Sequence, residues 1–200
     1  MPTNTRGRSS TEWADRVHKQ LPIETRSLLV RHFVLQDARA VFILSNEEPS
    51  RVWLSNQVCR DHVHAISVLE HFIEHYSTSA NPRHGPYVLA IEHRVDGRLI
   101  GHVGFSPLDD EVEIGFAIAQ DYQRQGFATE AIVAASRWAL QAFELDRIIG
   151  ITSTENIASK RSLLRAQFTY EGDKVMRFQG SEQSVCVYTL SGGSRSTRGT

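Results

Sequence analysis

The sequence predicts an α/β (α+β) fold, a single domain built on a mixed central β-sheet flanked by helices. Three observations carry this. Strand-like and helix-like segments alternate in the order β-α-α-β-β-β-α-β-α-β-β. A short, continuously apolar strand, Arg147–Thr152 (RIIGIT), follows the longest helical segment, so the centre reads as a parallel β-α-β unit with a right-handed crossover. The outer strands are joined by turn-like segments, which implies antiparallel pairing there.

Taken in order, Arg26–Leu35 (RSLLVRHFVL) reads as a strand and Asp37–Leu44 as a short helix ending near Glu47-Glu48-Pro49. His62–Tyr76 is a longer helix, with Val63, Ile66, Leu69, Ile73 and Tyr76 recurring every three or four residues. Tyr87–Arg94 and Leu99–Phe105 are strands. Asp96-Gly97 between them is a hairpin signal, because a type I′ turn needs positive φ. Val112–Ala119 is the next strand. Phe127–Phe143 is the longest helix, with Ala128, Ile132, Ala135, Ala139 and Phe143 on one stripe. Asn156–Ala166 is a helix with Asn156 as its N-cap, and Phe168–Phe178 and Val185–Leu190 finish the chain as strands. Residues 1–24 read as a polar tail and lead-in, 25–190 as the domain, and 191–200 as a disordered Gly/Ser/Arg tail too polar to offset its ordering entropy.

Composition narrows the function classes. Hydrophobic residues make up 40% and charged residues 22%, enough for a buried core. The net charge of −1 leaves no domain-wide basic footprint for nucleic acid. Cys59 and Cys186 are too few for a disulfide framework and fit a reducing compartment. The polar start lacks a signal-peptide core, and no apolar run approaches the roughly 20 residues that span a bilayer. A cytoplasmic protein with no membrane partner is expected. Oligomeric state is not legible.

The stretch Gln123-Arg124-Gln125-Gly126-Phe127-Ala128-Thr129-Glu130-Ala131 (QRQGFATEA) joins the Val112–Ala119 strand to the longest helix. A helix start leaves four backbone N–H groups unpaired and carries about half a positive charge, so it can hold an anion. Gly126 and Ala128 allow close approach, and Gln123 and Arg124 add donors. On this loop alone, a plain helix start is the better explanation of the glycine. The preceding strand adds a second feature. Val112, Ile114, Phe116 and Ile118 form one bulky face, whereas Glu111, Glu113, Gly115, Ala117 and Ala119 form a small one carrying two carboxylates. A packed helix or a thin ligand with a phosphate end can occupy such a face.

These residues resemble a known family. The run EIGF (Glu113–Phe116), followed by Gln123, Gly126 and Ala128 in the pattern Q/R-x-x-G-x-G/A, is similar to the GNAT acetyltransferases. Asn156–Phe168 resembles that superfamily's N-x-x-S…G-F segment. The forms EIGF and ATEA, and the opening TRSLLVRHF, look most like the branch of RimJ/RimL-type protein N-terminal acetyltransferases. The resemblance spans about Arg26 to Leu190 and implies acetyl-CoA as donor, bound in a cleft at the parallel strand pair. It places the pyrophosphate on the amides from Arg124 through Gln125, Gly126, Phe127 and Ala128 to Thr129, beside Gln123. It places the pantetheine arm along Phe116, Ala117 and Ile118, with Asn156 and Ser159 near the cofactor. The implied activity is acetyl transfer to a primary amine, either a protein α-amine such as a ribosomal protein's or a small-molecule amine, by direct attack in a ternary complex. Neither cysteine matches a motif position, so no covalent acetyl-enzyme is invoked. A non-catalytic acyl-CoA sensor or interaction module is the alternative.

Amine attack needs a neutral nitrogen, and Glu113 is the candidate base or ammonium binder; pairing with a nearby arginine is the bland reading. A backbone N–H near Ala117–Ile118 is the candidate oxyanion donor. Glu47, Glu48 and Glu111 add negative charge suited to a cationic acceptor. Two departures stand out. Leu163 occupies the position where many relatives carry a tyrosine acid, and Gln167 stands where glycine usually precedes Phe168, so the turn there is expected to differ. His71-Phe72-Ile73-Glu74-His75 matches H-x-x-E-H, with His64 on the same face, but this face lies opposite the apolar stripe and reads as solvated; no metal is expected. His102 reads as a structural strand residue with possible pH sensitivity. Trp13, Trp53 and Trp138 read mainly as packing residues, with Trp53 placed to line an acceptor pocket.

Overall fold

A computed structural model describes residues 20–78, 81–178 and 180–192. The first 19 residues, including Trp13, and the tail from 193 onward lie outside the described residues. One eight-stranded sheet runs in the order β1-β2-β3-β4-β5-β6-β8-β7. Its strands are β1 (Ile23–Glu24), β2 (Leu28–Arg31), β3 (Tyr87–His93), β4 (Arg98–Leu108), β5 (Glu111–Ile118), β6 (Arg147–Ser153), β7 (Thr169–Phe178) and β8 (Ser181–Ser191). The α-helices among the described residues are α1 (Ala38–Ser45), α2 (Glu48–Trp53), α3 (His62–Thr78), α4 (Phe127–Ala142) and α5 (Ile157–Arg165). The expected mixed sheet is present: β5 and β6 are parallel, and every other neighbouring pair is antiparallel.

The period-two pattern of the strands sorts the core into two faces. On one face, Tyr87, Leu89 and Ile91 of β3, with Phe105 and Ile114, pack beneath Ile132, Ala135 and Ala139 of α4. Alanines along this helix let it lie close on the sheet. Leu163 of α5 and Phe168 extend the same cluster. On the other face, Ala90 and Val88 of β3 pack with Ala38, Ala65 and Leu69 of α1 and α3. A separate cluster on Ile149, Val185 and Val187 covers the β6–β8 region. Glu113 is in register with Ile149, so it lies on this second face, between two apolar patches.

Several elements differ from the sequence expectation, each for a physical reason. The strand expected over Arg26–Leu35 is only Leu28–Arg31 (β2), preceded by the two-residue β1, because Asp37 Oδ2 accepts from Val34 N–H at 2.9 Å and turns the chain into a short helical turn. The short helix ends at Ser45, as expected, but a further helix, α2, follows with Pro49 in its first turn, where its missing N–H would be unpaired anyway. Val63 is 73% exposed, and α3 instead buries Ala65, Leu69 and Tyr76. Counting only large apolar residues misplaced that stripe. At the β3–β4 hairpin, Gly97 has φ +66 but Asp96 does not have positive φ, so a four-residue loop replaces the I′ turn. Gln167 keeps the expected glycine conformation, with φ +69, rather than altering the turn. No described helix is long and apolar enough to cross a membrane.

Ile132 is fully buried between α4 and the sheet. Ile132→Ala is expected to lower unfolding free energy by about 2–5 kcal/mol through lost apolar burial and a residual cavity. Urea unfolding checks this as a lower midpoint at unchanged slope.

Candidate active site

The site begins where the sheet parts. β5 and β6 are in register only at Glu113↔Ile149 and Ile114↔Gly150. β5 nevertheless continues to Ile118, paired with β4 as far as Gly101. From Gly115 onward its β6-side edge is therefore unpaired among the described residues. Gly101 lets the other edge close tightly, since a Cβ there would lie 2.1 Å from the Ala117 carbonyl oxygen. That carbonyl thus points to β4. Backbone groups alternate along a strand, so Phe116 and Ile118 present theirs to the open edge. The Ile118 carbonyl accepts from Gln123 Nε2 at 2.9 Å.

The open edge leads to the QRQGFA loop. Arg124 has φ +62 and Gly126 has φ +90, the latter as N-cap of the 16-residue helix α4. Left-handed residues in a loop before a helix are the backbone geometry from which anion nests are built. No side chain caps the start of α4, so its first N–H groups keep their donor capacity. A Cβ on Gly126 would meet nothing within 4 Å, so the space beside this residue is open. Glu130 in the first turn is engaged elsewhere: its Oε1 accepts from Thr25 Oγ1 at 2.6 Å and Ser27 N–H at 2.7 Å. It ties α4 to the β1–β2 turn.

The carboxylates divide sharply. Glu111 takes the arginine: Arg147 Nε donates to its Oε1 at 2.9 Å and holds its carboxyl below the usual range. Glu113 has no hydrogen-bond or ion-pair partner among the described residues, and burial pushes its carboxyl upward. The bland expectation of an arginine partner thus belongs to Glu111. Glu47 Oε2 accepts from Gln120 N–H at 2.7 Å, and Glu48 is exposed in α2. His102 sits opposite Ala117 on the same sheet face as Glu113, and burial lowers its imidazole to about 4, so it stays neutral at ordinary pH.

Other sequence candidates fall into structural places. Asn156 Oδ1 accepts from Ser159 N–H at 3.0 Å as the N-cap of α5. Leu163 is 1% exposed, with Cδ2 3.0 Å from where a Gly150 Cβ would be; it is a core residue. His71 is exposed, but His75 is half-buried with its ring 6.4 Å from Tyr87, so the histidine face is not uniformly solvated. No group of three or more potential metal ligands occurs among the described residues. Trp138 packs against Tyr87, Phe105 and Phe143, and Trp53 ends α2 half-buried. Sequence reasoning missed the left-handed Arg124 and the engagement of Glu47, which carry no local composition signal.

A mixed sheet parted at its parallel pair, with an uncapped helix start beside the open edge, is the arrangement that the GNAT resemblance implied. Residues 27–169 match the acetyltransferase (GNAT) domain family, and the chain belongs to it. It is similar to the uncharacterized N-acetyltransferase YoaA of Bacillus subtilis strain 168, at 34% identity over 175 residues, covering 84% of this chain and 95% of YoaA. Its fold superposes on RimL, a ribosomal L7/L12 α-N-protein acetyltransferase solved with coenzyme A, with a TM-score of 0.69, 17% identity, and 86% and 97% of the two chains covered. It also superposes on the microcin C7 self-immunity acetyltransferase MccE, solved with acetyl-CoA and AMP, with a TM-score of 0.68, 19% identity, and 84% and 93% covered. The protein is an N-acetyltransferase that uses acetyl-CoA as its donor.

Leu163→Tyr is expected to destabilise the fold by about 1–3 kcal/mol through overpacking, with no gain in turnover. Thermal unfolding beside an acetylation assay checks both halves.

Proposed function

We propose that the cleft holds acetyl-CoA with its pyrophosphate on the amides of Arg124–Thr129, beside Gln123, and its pantetheine arm along the open edge of β5. The open edge leading into an uncapped helix start carries this reading. Phe116 and Ile118 offer the backbone pairing, whereas the Ala117 carbonyl faces β4 and contributes only its small side chain to the cleft wall. Asn156 and Ser159 act through the start of α5, because the Asn156 oxygen is already used in capping. Acetyl-CoA supplies an activated thioester acyl group.

Glu113 receives the proton of the acceptor ammonium or amine. It lies one residue before the last paired step, Ile114↔Gly150, without a hydrogen-bond or ion-pair partner among the described residues and raised by burial. A raised carboxyl is a better base than a free one, because its pKa moves toward the operating pH. A backbone N–H at Phe116 or Ile118 stabilises the oxyanion. No tyrosine acid is needed at position 163, since a thiol of pKa near 8.5 leaves readily. Direct attack in a ternary complex is favoured over an acetyl-enzyme, because Cys59 and Cys186 are both buried in core clusters and burial raises the Cys186 thiol. Both free thiols fit a reducing cytoplasmic setting. The acceptor is a primary amine, a protein N-terminus or a small cationic molecule, drawn to the Glu113 face.

Glu113→Gln is expected to reduce turnover roughly 10²–10⁴-fold while leaving acetyl-CoA affinity intact. In the parent enzyme, turnover falls as pH drops through the raised Glu113 value. Stability runs the opposite way. A carboxyl raised by burial favours the fold when protonated, below its unfolded pKa, and that contribution is lost as pH rises through the folded value. Glu113→Gln therefore melts at the same or a higher temperature than the parent at pH 7–8. An unchanged rate across an amine and peptide panel removes Glu113 from the mechanism. Cofactor binding without turnover of any acceptor in the parent would instead favour a sensor.

Gly126→Val places a branched side chain at φ +90 and in the open space beside this residue. Calorimetry is expected to show at least a 100-fold loss of coenzyme A affinity, about 2.7 kcal/mol. Retained affinity would contradict the pyrophosphate cradle.

A further inference from the structure

Within the cradle loop, Gln123 Nε2 donates to the Ile118 carbonyl at 2.9 Å and Gln125 Nε2 to the Asp121 carbonyl at 3.2 Å. Arg124, Gln125 and Gly126 are exposed, and two of the three sit at positive φ. The loop is also gripped at its two ends. At the near end, Glu47 accepts from Gln120 N–H and Tyr122 Oη donates to Asp96 Oδ2 at 2.6 Å. Asp96 comes from the β3–β4 loop, 26 residues earlier in the chain. It is itself oriented by Arg98 N–H at 3.2 Å and His93 Nδ1 at 3.1 Å. At the far end, Phe127 opens α4 and packs 5.1 Å from the His93 ring, which also meets Tyr122 at 5.4 Å. One hairpin tip therefore contacts the loop both before and after its left-handed residues.

The hairpin loop fits this use. Gly97 alone takes positive φ in the turn, and Asp96 divides its carboxylate: Oδ1 meets Arg98 N–H and His93 Nδ1 within the hairpin, and Oδ2 reaches across to Tyr122. A hydroxyl donating to a carboxylate at this distance belongs to the strong class of hydrogen bonds. Consistent with that, the Tyr122 hydroxyl holds the Asp96 carboxyl down to about 2, so it is ionised throughout the working range.

We propose that Asp96 and Tyr122 form a latch by which the β3–β4 hairpin positions the pyrophosphate cradle and sets affinity for the nucleotide end of the donor. The proposal rests on the cradle reading above. Neither side chain meets the reacting atoms; both are positioning residues. The latch acts on the diphosphate end of the ligand and leaves the thioester end untouched.

The test compares two probes, coenzyme A and pantetheine, which lacks the diphosphate and nucleotide. Binding to the full-length protein is followed by calorimetry and by NMR titration, with thermal melting in parallel. Tyr122→Phe removes one hydroxyl, and Asp96→Ala removes its acceptor. Each is expected to weaken coenzyme A binding about 5–20-fold with pantetheine affinity unchanged, and the double variant to be no worse than either single one. Coenzyme A affinity within twofold of the parent in Tyr122→Phe overturns the latch. So does a parallel loss for both probes, which would mark a general loosening of the fold. If Asp96→Ala fails to fold, Tyr122→Phe alone decides. Gly126→Val separates the two readings. Lost binding there with normal binding in Tyr122→Phe defeats the latch only, whereas normal binding in Gly126→Val defeats the cradle and the latch together.

Discussion

The whole site depends on β5 and β6 ceasing to pair after Ile114. A parallel pair held over only two register steps still fixes the relative position of the strands. Beyond it, β5 is secured from one side by β4, and its other edge is left with backbone donors and acceptors to spend on a ligand. Unpaired strand edges are usually a liability. Here the edge is recessed within an eight-stranded sheet rather than at its margin, so it invites a narrow extended molecule rather than another chain.

The same parting determines where charge can be used. Glu113 stands one residue before the last paired step, on the face between two apolar patches. Its neighbour two residues earlier is neutralised by Arg147, which leaves Glu113 as the carboxylate at this point without a partner among the described residues. Burying an unpaired carboxyl works against folding. The chain tolerates it because α4 and the sheet bury an extensive apolar core around Ile132, Ala135 and Phe105. A strained Arg124 at the cradle is a second such cost, and both lie at the cleft.

Leu163 and Gln167 show how context decides the meaning of a substitution. Leucine at 163 does not leave a hole where an acid is missing; it fills the space over Gly150 and closes the core beneath α5. Gln167 accepts a left-handed backbone because the helix end and the following strand determine it: its N–H bonds to the Leu164 carbonyl and that of Phe168 to the Leu163 carbonyl, each at 3.0 Å. Local propensity is overruled by bonds on either side.

The sequence by itself determined the order of the elements apart from β1 and α2, the parallel centre and the helix-start loop, because these are written in short-range signals. Apolar periodicity, a glycine before a helix and an asparagine cap act over a few residues and survive in any context. It also placed Glu113 on the small-residue face, since strand alternation is geometric. Only the tertiary structure decided that β5 leaves β6 at Gly115, that Glu111 rather than Glu113 takes the arginine, that α3 buries Ala65 in place of Val63, and that Asp96 reaches Tyr122. Those outcomes depend on which residues meet across the fold, and contacts between residues 26 or more positions apart have no signature in local composition.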